Sequence, residues 1–165
     1  MHLDPQQRRF LILEHGVVGF AINVVINFAI AWAMFRGAET VPLWGESSIG
    51  GDTLGTSFFL PAITCLIVTP LVRGAVRKGA APAFSGALAG WLRPFQLRVP
   101  LRALALGLAS VALAGGRAGA LLTVLGVEAL GLGAFLGWKA LYAGALAAFV
   151  QPAIALLALA DKPGS

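Results

Sequence analysis

The 165-residue chain is 58% hydrophobic and 12% charged, with a net charge of +5 and one cysteine, Cys65. A soluble domain carries about 25% charged residues, so this composition cannot clothe a water-soluble globule and points to apolar surface facing lipid. The basic excess flanks apolar runs without the aromatic or glycine-loop companions of a nucleic-acid reader, which argues against nucleic acid as a partner, and a single cysteine excludes an intrachain disulfide or a cysteine zinc cluster.

Residues 16–35 form the first predicted span, close to the ~20 residues that a 30 Å hydrocarbon core requires. Arg8, Arg9 and the Ala31-Trp32-Ala33 triplet resemble the flanks of a signal peptide. The run is longer than a usual signal core of about 7–15 residues, however, and it carries Asn23 and Asn27, so a retained helix is expected. Spacing by four puts His15, Gly19, Asn23, Asn27 and Ala31 on one small or polar stripe, with Ile22, Val25, Phe28 and Trp32 on the other side. The asparagine face should therefore point into a bundle. A buried amide needs partners there, and Thr64, Gln151 and the carbonyls freed by Pro61 and Pro152 are the candidates. The group serves either as interhelical glue, worth about 0.6 kcal/mol per bond, or as a polar site at mid-membrane depth. Glu14 and His15 sit at the inner mouth of this span, as a proton-relaying pair or as groups hydrated at headgroup level.

The outer connection ETVPLWGESSIGGDT reads as a polar loop with turn chemistry. The second span covers 54–72 and contains Pro61, a predicted helix kink. Asp52 stands at its outer mouth, where it suits a helix N-terminus. Lys139 stands at the corresponding mouth of the fourth span, so the two would form a salt bridge if those helices adjoin. The inner connection 79–98 carries Phe84, Trp91, Arg93, Phe95 and Arg98, and is either an amphipathic segment along the membrane surface or a solvated loop.

The third span covers 99–116. Arg117 is read as ending it outside; the alternative is a longer helix that buries Arg117 against Glu128 or Asp52. The outer apolar connection 118–137 is read as a short interfacial helix, a re-entrant segment or an extension of the third span, the first two being favoured, with Gly133 and Gly137 as a GxxxG-type close-packing surface. The fourth span covers 140–159 and contains Pro152, a second predicted kink.

Orientation follows from the basic residues. Nine of the 12 lie on one side: Arg8, Arg9, Arg73, Arg77, Lys78, Arg93, Arg98, Arg102 and Lys162. Arg36, Arg117 and Lys139 lie on the other, which places both termini in the cytoplasm of a bacterial-type inner membrane. Trp32, Trp44, Trp91 and Trp138 all fall near predicted membrane boundaries, as an aromatic belt requires. LPAITCLIV (Leu60 to Val68) and QPAIALLAL (Gln151 to Leu159) suggest two weakly repeated hairpins of the same orientation, related by an axis along the membrane normal.

The sequence thus predicts an all-α integral membrane protein, one domain over 1–165 with four transmembrane helices, packed in lipid as a homo-oligomer or in a larger membrane complex. No HExxH, GxSxG or phosphate-loop motif occurs, and His2 and His15 are too few for a three-histidine site. No catalytic residue, metal set or cofactor is predicted, so a non-enzymatic protein is expected. The favoured role is an accessory or scaffold subunit; the alternative is a small transporter or channel-like permease with its polar site at Asn23 and Asn27.

Overall fold

The computed structural model describes residues 3–82, 84 and 86–161; His2 and Lys162 lie outside them. Four helices are long and apolar enough to cross a membrane: α1 (Pro5–Phe35), α2 (Ile49–Arg77), α3 (Val99–Val124) and α4 (Leu132–Leu159). The protein is an all-α, multi-pass membrane bundle. Helices of 26 to 31 residues rise roughly 39–46 Å, beyond a ~30 Å hydrocarbon core. Their ends therefore project into the headgroups, and the apolar runs mark only the middle of each.

Local chemistry sets these longer boundaries. α1 begins at Pro5, where Asp4 Oδ1 accepts from Gln7 N at 2.8 Å and Gln7 Oε1 accepts from Asp4 N at 3.1 Å. That reciprocal capping box, with proline in the first helical position, starts the helix well before the apolar run. Phe10–Val17 then winds as a π-helix before the regular turns resume. α2 starts on the Ser48 hydroxyl, which accepts from Gly51 N. It ends at Gly79, whose φ of 69° lets Gly79 N and Ala80 N turn back to the carbonyls of Val76 and Ala75.

The third helix differs from its predicted end. It runs on past Arg117 through a π-helical segment, Val111–Gly115, and stops in the same way at Gly126, with φ 70°. Arg117 is thus neither at a helix end nor buried. It lies on an exposed face of α3 and forms no ion pair with Glu128 or Asp52 among the described residues. The 118–137 segment is not one separate element: it divides between the last turns of α3, the first turns of α4 and a short strand. That strand, β2 (Ala129–Gly131), pairs antiparallel with β1 (Thr40–Pro42), with Val41 opposite Leu130. Bonds from Leu43 N to Glu128 O and from Leu132 N to Glu39 O extend the ribbon, so the two outer connections form one cap. Val41, Leu43, Ile49 and Phe135 fill the core beneath it.

α4 is the central helix. It packs on α1 and on α2, and α2 packs in turn on α3, giving the lateral order α1, α4, α2, α3. The close approaches lie at particular glycines. A Cβ at Gly144 would come within 2.6 Å of Val24, and one at Gly115 within 2.5 Å of Ser57 Oγ. Gly133 and Gly137, the expected close-packing pair, have nothing within 4 Å of a Cβ, because the first turns of α4 stand clear of the neighbouring helices on that face. Pro61 and Pro152 lie inside α2 and α4, and both helices continue through them.

The inner connection folds under the bundle. Leu88 and Leu92 pack with Phe10 of α1 and with Ala155, Leu157 and Leu159 of α4, while Trp91, Arg93 and Arg98 point outward. The connection thus has a buried apolar side and an exposed aromatic and basic side.

Gly144→Leu should destabilise the bundle by about 1–3 kcal/mol through overpacking. Gly137→Ala should leave stability unchanged or raise it by up to ~1 kcal/mol. Thermal unfolding of both variants in detergent measures the contrast, and equal effects would contradict this account of the contacts.

Candidate functional site

A groove of about 620 Å³ opens between α1 and α2, with α4 as its floor. It exists because α1 and α2 each pack on α4 and not on one another. Its walls are two ridges at i+4 spacing, Ile22, Ile26 and Ile30 on α1 and Phe59, Ile63 and Ile67 on α2. These side chains are about half exposed, so the groove opens sideways, towards the position of the acyl chains.

Its polar groups lie at two depths. Asn23, Asn27, Thr64 and Gln151, the four residues nominated as a polar bundle site, all line it. The asparagines, however, find their partners within their own helix. Asn23 Nδ2 donates to Gly19 O at 2.9 Å and Asn27 Nδ2 donates to Asn23 O at 3.0 Å. Neither bonds to Thr64 or Gln151, or to a carbonyl freed by proline. An i−4 carbonyl lies within reach of a short amide on any helix, so the interhelical demand is smaller than the burial of this face suggests. Gln151 enters the space left by Gly19, where a Cβ would stand 2.1 Å from its Oε1. Thr64 and Gln151 have no hydrogen-bond partner among the described residues, so the groove keeps hydrogen-bonding capacity at mid-depth.

The outer end of the groove holds an ion pair. Lys139 Nζ of α4 lies 2.7 Å from both Asp52 oxygens and donates to Oδ1. It also donates to Thr56 Oγ1, whose own proton goes to Asp52 O at 2.8 Å. The two charged side chains are 5% and 10% exposed. Asp52 Oδ2 is enclosed and accepts no hydrogen bond of its own; Lys139 reaches it only as a nearby charge. Among the described residues no other charged side chain lines the groove.

The remaining mouth residues stay apart from this site. Glu14 is exposed, and His15 is half-buried with its ring edge-on to Phe10 at 4.8 Å. No hydrogen bond or ion pair joins Glu14 to His15, and Arg117 lies on α3, away from the groove.

Sequence reasoning missed a second ionic cluster, at the inner end. Arg102, 1% exposed, is bidentate to Asp161, with Nη1 to Oδ2 at 3.0 Å and Nη2 to Oδ1 at 2.6 Å. Its Nε donates to Phe95 O, and Arg73 donates to the same carboxylate at 3.0 Å. In the sequence Arg102 counts only as one of the nine basic residues of the inner side. The available signal was that the matched ends of the two repeats, Arg73 and Asp161, carry opposite charges, as Asp52 and Lys139 do. A third set joins α2 to α4. Trp138 Nε1 donates to Thr53 Oγ1 at 3.2 Å, and Ser57 lies 2.6 Å from Tyr142. Ser57 donates its one proton to Thr53 O, so Tyr142 is the donor in that pair.

Lys139→Met should destabilise the protein by about 3–5 kcal/mol, because it leaves Asp52 buried and uncompensated. The double variant Lys139→Met, Asp52→Leu should recover most of that loss. Thermal unfolding in detergent across the cycle measures the coupling, and additive losses would show that the pair is not coupled. No family model, curated protein or solved structure matches the chain, so the chemistry of the groove rests on its own side chains.

Proposed function

We propose that this protein is a non-catalytic accessory subunit that works through lateral contacts within the bilayer, in a bacterial-type inner membrane with both termini cytoplasmic. The observation that carries this reading is the position of the α1–α2 groove. That groove lies on the side of the bundle, between two helices that face lipid. Through the middle of the bundle, in contrast, α4 is packed against α2 by Ala143, Leu146 and Ala147 with Leu60. A subunit that receives a hydrophobic molecule or a neighbouring helix needs a side opening of this kind, whereas an aqueous path needs a polar interior. The orientation rests on the charge asymmetry, with Arg93 and Arg98 exposed on the inner connection.

A permease reading has one observation in its favour: polar groups at mid-depth and an ion pair near the outer edge line the same groove. Asn23→Leu combined with Asn27→Leu separates the two roles. The accessory reading expects no solute flux from the wild type in proteoliposomes and altered assembly of the variant by native mass spectrometry from the host membrane. Wild-type flux abolished in a variant that still assembles would establish transport instead. Orientation has its own measurement. Glu46→Cys should react with an impermeant maleimide added outside cells and Gln96→Cys should not; the reverse pattern would invert the topology.

A further inference from the structure

We propose that a second seam between α1 and α4 binds one anionic glycerophospholipid, with its phosphodiester held by Arg8 and Arg9 and an acyl chain lying along Ile12, Val17 and Phe20. No residue of this seam lines the α1–α2 groove, so the site is separate from the one described above.

Two depressions share Ile12. The inner one holds Arg8 and Arg9 beside Ile12 and Leu13. The other continues from Ile12 past Val17 and Phe20, with Ala148 and Pro152 of α4 as its far wall. The π-helical turns of Phe10–Val17 shape this line. Their i→i+5 bonding, seen where Val18 N donates to Leu13 O, sets Ile12 and Val17 one above the other. These two side chains are 53% and 56% exposed, so the seam opens sideways. Beyond the arginines its side chains offer no donor or acceptor, which suits hydrocarbon. The depth fits as well. Gly16 stands near Ala148 and Pro152, and Phe10 packs in one cluster with Leu156 and Leu159, so Arg8 and Arg9 lie near the inner end of α4. From Arg9 to Phe20 the helix rises roughly 15 Å, one leaflet's share of a ~30 Å core. A lipid in its ordinary orientation therefore meets the arginines with its phosphate and the seam with its chain.

Charge selects the head. Arg8 and Arg9 are exposed and form no ion pair among the described residues, unlike Arg73 and Arg102, which Asp161 holds. Asp4 already caps the helix through Gln7 N, so the guanidinium groups and not the helix amides make the site. Glu14 lines neither depression. Two arginines against Asp4 leave one positive charge, which a single phosphodiester cancels, and the planar fork of arginine suits its paired oxygens. A zwitterionic head brings an ammonium towards the same guanidinium groups and loses that gain. A second copy of the chain is the wrong occupant. Lying in the same sense, it would bring Arg8, Arg9, Arg77, Lys78, Arg93 and Arg98 to this level, all exposed, against the exposed acids Asp4 and Glu14. Like charge at the inner ends opposes that contact.

The test uses the whole chain in nanodiscs of equal parts palmitoyl-oleoyl-phosphatidylglycerol and palmitoyl-oleoyl-phosphatidylcholine, with native mass spectrometry to count the retained lipid. The expected result is one phosphatidylglycerol per chain, preferred by about 25-fold, or roughly fivefold for each arginine. Arg8→Gln with Arg9→Gln should remove the preference while leaving the melting temperature in detergent unchanged, because both side chains are exposed. Arg77→Gln with Lys78→Gln takes the same charge from the inner end of α2 and should keep the adduct. Ile12→Trp, at the junction of the two depressions, should abolish retention with both arginines in place. Absence of the adduct in the wild type, equal retention of phosphatidylcholine, or undiminished preference in Arg8→Gln, Arg9→Gln would overturn the proposal. An equal loss in Arg77→Gln, Lys78→Gln would overturn it by reducing the effect to diffuse charge at the inner surface. A disulfide-linked dimer through Ile12→Cys in the presence of phosphatidylglycerol would make a second copy the occupant. A protein subunit held by the wild type from the host membrane, and released by Arg8→Gln, Arg9→Gln, would put an acidic partner there instead of lipid.

Discussion

Two ion pairs of reversed sense hold α2 parallel to α4, and the rest of the bundle is arranged around that contact. At the outer end α2 supplies the acid and α4 the base, in Asp52 and Lys139; at the inner end α2 supplies the base and the acid follows α4, in Arg73 and Asp161. The partners are 87 and 88 residues apart in sequence, and the Thr53–Trp138 and Ser57–Tyr142 contacts are 85 apart, so one register runs the length of the interface. From Asp52 to Arg73 the helix rises about 32 Å, close to the ~30 Å thickness of a hydrocarbon core. The ion pairs therefore sit at its two edges, where a buried charge can be compensated without standing alone in lipid. Sliding or inverting one helix would break both pairs at once.

With α2 and α4 fixed, α1 and α3 take opposite flanks. The helix order reads the same when the two hairpins are exchanged, since α1 packs on α4 as α3 packs on α2. The β1–β2 ribbon joins the two corresponding outer connections. The two sides are not filled alike, however. Leu106 and Ile154 close the space between α3 and α4, whereas α1 and α2 leave the groove open. The asymmetry comes from side chains laid over a nearly symmetric helix order.

The membrane class, the four helices and the buried stripe of the first helix were legible in the sequence, because hydropathy and i+4 spacing act locally. Gly19, Asn27 and Ala31 are indeed the buried members of that face. Helix ends were less legible, because they depend on devices outside the apolar runs: the Asp4–Gln7 box and the glycine stops at Gly79 and Gly126. Arg117 shows the limit of reading charge as a boundary, since a long side chain on an exposed helix face can reach the headgroups without ending the helix. Gly133 and Gly137 close no interface within the chain, because a small-residue pair does so only where a helix faces it, and spacing does not say which helix that is. Pro61 and Pro152 suggested the repeat, but their separation differs by about one turn from the register in which α2 and α4 meet. Arg102 escaped notice because its burial depends on Asp161 and on the Phe95 carbonyl, brought together only by the fold.

The charges between α2 and α4 have a consequence for how the two halves choose one another. If either hairpin paired with a copy of itself in the same geometry, Asp52 would face Asp52 and Arg73 would face Arg73, or Lys139 would face Lys139 and Asp161 would face Asp161. Each self-pairing buries like charges at both edges of the core, where no water relieves the repulsion. Only the mixed pairing neutralises Asp52 with Lys139 and joins Arg73 to Asp161. The four residues thus act as a recognition code that makes the halves complementary and non-interchangeable, and it commits the protein to a heterotypic core even where its helix order is symmetric.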